Sequence, residues 1–135
     1  MKKLLVFVTI LGLVVAAGAY AKGEKESGHS TAGMKSMTWT GEILDAGCYV
    51  AHGAMGAKHA ECALKCASNG MPLMIMAKDG KPILLTPNHD NPDAYNQLKT
   101  MAGSSATVTG TLAERGGVKA IDVTAVAAAT STGSK

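Results

Sequence analysis

The chain has 135 residues, 47% of them hydrophobic and only 4% aromatic, with a formal net charge of +3. Lys2 and Lys3 supply two of its thirteen basic residues, and without them eleven Lys and Arg face ten Asp and Glu. That balance leaves no basic footprint for nucleic acid, and the length admits one modest core.

Lys2 and Lys3 precede an uncharged apolar run over residues 4–15, and the small residues 16–21 end in Ala19-Tyr20-Ala21. Charge, a short apolar run and a small-x-small ending are the parts of a secretory signal peptide. The run is shorter than the roughly 20 residues a spanning helix requires. Residues 1–21 are therefore expected to be a signal peptide, with the mature protein starting at Lys22. The location expected is periplasmic or secreted, with no membrane partner once the leader is removed. Residues 22–37, KGEKESGHSTAGMKSM, lack apolar periodicity and are expected to form a flexible arm. A domain over 38–126 follows, and 127–135 is expected to be a disordered tail.

Within that domain TWTGEILD, residues 38–45, alternates around Trp39 and Ile43 as a strand does. Residues 57–69 are rich in Ala, Lys, Glu and Leu, and Gly70 and Pro72 prevent continuation, so a helix is predicted there. Residues 73–77 and 82–85 flank Asp79-Gly80, which predicts a hairpin. Asn91, Pro92 and Asp93 make a helix start of cap, proline and early acid. Ala94, Tyr95, Leu98, Met101 and Ala102 recur at helical spacing until Gly103. Two last strands, 106–112 and 118–126, meet across Gly116-Gly117.

The order predicts a mainly β chain with two helices, a small OB-like five-stranded barrel with an inserted Cys/His-bearing helix. The ending ATVTGTLAERGGVKAIDVTAV resembles the last two strands of small bacterial periplasmic OB-fold proteins. The resemblance implies the barrel fold and leaves the activity to be argued from the residues.

All three cysteines and two of the four histidines fall between positions 48 and 66: Cys48, His52, His59, Cys62 and Cys66. On a helix His59, Cys62 and Cys66 would sit at i, i+3 and i+7, pointing one way. Cys48 and His52 are placed in the loop before that helix, where Gly47, Gly53 and Gly56 would let the chain fold back. Three thiolates and an imidazole form the donor set of a closed tetrahedral site for a soft ion. Cys48, His59, Cys62 and Cys66 are the expected ligands, with His52 as a substitute or supporting group.

Three other accounts of the cysteines stay open. A structural disulfide is usual in exported proteins, yet it would leave one thiol over. Cys62 and Cys66 are a poor pair, because i,i+4 neighbours hold their Cβ atoms about 5–6 Å apart. Thiol–disulfide exchange is the second account, although Cys-x-x-x-Cys replaces the usual Cys-x-x-Cys. The third is that the cysteines are simply small and buried.

Sulfur donors suit Zn²⁺ and Cu(I) alike. Periplasmic OB-fold metallochaperones of the copper-efflux type use Met, His and a neighbouring Trp, and this chain resembles them in strand order and in Trp39. Its cysteine ligands depart from theirs, so the resemblance adds copper as a candidate and transfers no residue. Met74 and Met76 share one strand face, His29, Met34 and Met37 lie in the arm, and His89 lies in a loop before the second predicted helix. No base stands near Ser68 in sequence, and no Gly-rich phosphate loop precedes a helix. The sequence thus points to binding, trafficking or metal-stabilised support rather than turnover. The partners expected are the ion and another exported protein, and the runner-up is a periplasmic thiol–disulfide redox protein or sensor using Cys48, Cys62 and Cys66.

Overall fold

The computed structural model describes residues 35–129; residues 1–21, expected as a signal peptide, most of the expected arm and the last six residues lie outside them. Eight elements follow in order: β1 (Ser36–Asp45), α1 (Ala46–His52), α2 (Ala60–Ser68), β2 (Leu73–Met76), β3 (Pro82–Pro87), α3 (Asp93–Lys99), β4 (Ser105–Arg115) and β5 (Val118–Ala128). No helix among them is long and apolar enough to cross a membrane.

The strands close into a barrel in the order β1-β2-β3-β5-β4. β3 and β5 run parallel, with Leu85 beside Ile121, and the other neighbours are antiparallel. α3 lies between β3 and β4 in sequence and packs against β3 and β5. This is an OB-like barrel, reached from the strand order expected.

Alternation decides what lies inside. Ile43, Leu73, Ile75, Ile83, Leu85, Val108, Ile121 and Val123 are buried, each two residues from another inward position or facing one across the ladder. Leu98 and Ala102 close the α3 end of the barrel, while Ala63 and Ala67 carry α2 into the same core. Leu73 and Ile75 take the core face of β2, so Met74 and Met76 occupy the outer one. Two glycines sit where strands cross closely. A Cβ on Gly41 would stand 2.0 Å from the Met76 carbonyl oxygen, and one on Gly110 2.2 Å from that of Asp122.

Several boundaries move. β1 starts at Ser36, paired with Thr111, so the last two residues expected in the arm belong to the barrel. β5 runs to Ala128 because Ala127 and Ala128 pair with Thr107 and Ala106. Gly116 and Gly117 make the tight β4–β5 turn with φ of 57° and 81°, which suits the primed hairpin turn that matches strand twist. Asn91 accepts the Asp93 N–H at 3.2 Å, but α3 begins at Asp93 with Pro92, not Asn91, in the cap position and no side-chain cap, while Met101 and Ala102 lie in the turn after α3.

The larger correction is to the insertion, which contains two helices. Residues 46–52, expected as loop, form α1, and α2 starts at Ala60 rather than at residue 57. Asp45 explains α1. Its Oδ1 accepts the Cys48 backbone N–H at 2.8 Å, the cap that a short, glycine-containing helix needs. Gly53, at φ 67°, ends α1 in the left-handed conformation.

Candidate metal centre

Both helices of the insertion attach to the end of the barrel that α3 closes. α1 continues directly from β1, and the Ala46 N–H donates to the Pro72 carbonyl just before β2. α2 begins against the turn after α3: a Cβ on Gly103 would stand 2.4 Å from the Ala60 Cα. Gly103 also donates its N–H to the Ile43 carbonyl at 2.7 Å. These anchors bring the N-terminal turn of α1 against one face of α2.

The result is a cluster of three sulfurs. The Sγ atoms of Cys48, Cys62 and Cys66 all lie within 4.8 Å of one another. Cys62 and Cys66 are one turn apart on α2, and Cys48 arrives from α1. All three are free thiols; Cys62 is exposed and the other two are half-buried. Sulfurs bound tetrahedrally at about 2.3 Å to one ion would stand about 3.8 Å apart, so the cluster is close enough to hold an ion.

A second group shares Cys48. Donor atoms of Asp45, Cys48 and His59 also lie within 4.8 Å of one another. His59 Nε2 is 2.9 Å from Asp45 Oδ2, and the Asp45 side chain is fully buried. Burial by itself would raise the Asp45 pKa; hydrogen bonds from the Cys48 N–H, the His59 ring and the Cys48 thiol outweigh it and hold the carboxyl below its ordinary range. An ionised carboxylate only accepts, so His59 donates from Nε2. A carboxylate on one ring nitrogen can orient an imidazole beside a metal, and His59 shares this close spacing with Asp45 and Cys48 but not with Cys62 and Cys66.

Two of the thiols, Cys48 and Cys66, are held protonated. The hydrogen bond to Asp45 is the main cause that pushes Cys48 up to about 12, with burial and the Asp45 charge adding to it. Burial raises Cys66, the Cys48 hydrogen bond works against this, and Cys62 raises it further. Reactive cysteines in exchange chemistry are found where the thiolate is stabilised. Cys48 sits in the opposite environment.

Of the residues expected at the site, Cys48, Cys62 and Cys66 converge, and His59 joins Cys48 through the second group. His52 does not. It is exposed in the last turn of α1, and it belongs to neither group. His59 stands just before the first residue of α2, in right-handed helical conformation, which keeps it roughly in phase with Cys62. His89 is exposed in the loop after β3. Sequence reasoning missed Asp45. The available signal was an Asp three residues before Cys48, the spacing of a cap.

Comparison of the chain with protein-family models, with curated proteins and with solved structures returned no significant match.

Proposed function

We propose that this is an exported protein that binds one soft metal ion, Zn²⁺ or Cu(I), for trafficking or as a stabilising element of an accessory domain. Cys48, Cys62 and Cys66 supply thiolates, and His59 supplies the fourth donor while Asp45 orients its ring. The observation that carries this is the convergence of three sulfurs from two helices onto one point. Binding displaces the thiol protons, so affinity rises with pH until the unbound thiols are ionised. The charge, apolar run and small-x-small ending of residues 1–21 support a location in the periplasm or outside the cell, where another exported protein would deliver or receive the ion. Thiol–disulfide exchange is the weaker account, because Cys48 is held protonated by Asp45.

Protein purified from the export compartment should carry about one ion per chain and resist alkylation until a chelator is added. Competition against chromophoric chelators, with Zn²⁺ and with Cu(I), separates the two metals. A ratio well below one ion, with a disulfide from Cys48 to a helix cysteine and a third thiol free to alkylate, would overturn the metal assignment. An intact mass starting at Lys22 would support export, and one retaining residues 1–21 would count against it.

A further inference from the structure

The barrel end opposite α3 has a different chemistry. Ala77, Ile83, Leu112, Lys119 and Trp39 come from β4, β5, β1 and the ends of the β2–β3 hairpin, and they line one cavity of about 360 Å³. A second cavity of about 220 Å³ adjoins it, also bounded by Trp39, Ala77 and Lys78. The larger volume is within the range of small-molecule sites, which barrels commonly hold at their mouths.

Strand parity makes this end unusual. Lys119 is two residues before buried Ile121 on β5 and so occupies the inward-facing row, and Lys81 stands just before β3 at the same mouth. The next positions along such a row are ordinarily apolar, yet here two cations stand at the rim above an apolar floor. Trp39, the single Trp of the chain, is half-buried in that floor and packs on the core. Lys78 adds a third ammonium to the rim, against two carboxylates, Asp79 and Glu114. The rim lysines are loosely engaged: Lys81 lies 3.9 Å from Asp79 and Lys119 3.7 Å from Glu114, all of them solvent-exposed. Such pairs contribute little and are readily exchanged for another anion.

We propose that this mouth binds a small amphiphilic anion, its apolar body on Trp39, Ile83 and Leu112 and its carboxylate or similar head among Lys78, Lys81 and Lys119. The site is at the other end of the barrel from the cysteines and is independent of the metal assignment.

Octanoate is a suitable probe, with octanol as its uncharged counterpart, because neither absorbs where Trp39 is excited. Octanoate should shift Trp39 fluorescence saturably, and octanol should bind at least tenfold more weakly. The double variant Lys81→Met, Lys119→Met keeps the apolar stems and should weaken octanoate at least tenfold while leaving octanol unchanged. Lys119→Glu alone, at an exposed position, should weaken octanoate in the same direction and serves if the double variant does not fold. No saturable shift at millimolar octanoate, equal binding of octanol, or unchanged affinity in the folded variants would each overturn the proposal.

Discussion

His59 Nε2 lies 2.9 Å from Asp45 Oδ2, joining the residue before α2 to the last residue of β1. The same carboxylate caps α1 through the Cys48 N–H. One buried side chain therefore fixes the start of one helix, the ring before the other and the position of a cysteine.

Substitution at Asp45 should separate these roles. Asp45→Ala removes a helix cap and leaves a partly buried imidazole N–H without its acceptor, so a loss of about 2–4 kcal/mol is expected. Asp45→Asn keeps an oxygen for the Cys48 N–H and should lose less. Urea denaturation of the metal-free protein measures both, and equal effects would show that the cap contributes nothing.

The two histidines should behave differently. His59→Ala is expected to weaken metal binding by 10-fold or more, on the scale seen when an oriented ligand or its support is removed. His52→Ala should leave the affinity unchanged, because that side chain is exposed at the end of α1. Chelator competition on both variants checks this, with His89→Ala as a distant control.

Stability of the metal-free protein should vary with pH in two windows. The Cys48 pKa is raised from 9.0 to about 12, so folding favours the protonated thiol. Its contribution is complete below pH 9 and is lost as pH rises from 9 toward 12. The Asp45 pKa is lowered from 3.8, so its contribution is present above that value and disappears as pH falls through the lower folded value. Melting temperatures across pH 2–11 should show both losses, and Cys48→Ser should flatten the alkaline one.

The barrel itself is most exposed to change at its close crossings. Gly110→Ala would drive a methyl group to within 2.2 Å of the Asp122 carbonyl oxygen and against Ile121. Relief requires backbone movement in β4 or β5, so a loss of about 3 kcal/mol is expected. Gly116→Ala meets no neighbouring atom, and its cost should be limited to the strained φ of 57°. Thermal melts followed by circular dichroism compare the two.

Much of this was legible in the residues themselves. Alternation around Ile43, Ile75 and Val108, the Asp79-Gly80 and Gly116-Gly117 turns and the Asn91-Pro92-Asp93 start are local signals, carried by a few neighbouring residues each. They predict five strands in the order of an OB-like barrel. The cysteine spacing likewise singles out Cys62 and Cys66, because residues four apart on a helix share a face whatever surrounds them.

What the tertiary structure alone decided concerns groups that meet from separate elements. Residues 46–52 have two alanines and a glycine and no strong apolar period, so α1 depends on the Asp45 cap and on its anchorage beside Pro72. Only that helix turns Cys48 toward Cys62 and Cys66 and leaves His52 in solvent. The burial that makes Asp45 an acceptor for His59 arises from packing, which no local pattern records. The same holds at the opposite end, where closure of β1 onto β4 and β3 onto β5 sets Trp39 among lysines far from it in sequence. Local propensity is a short-range property of the chain, whereas a site is a meeting of side chains that only closure of the barrel brings within reach.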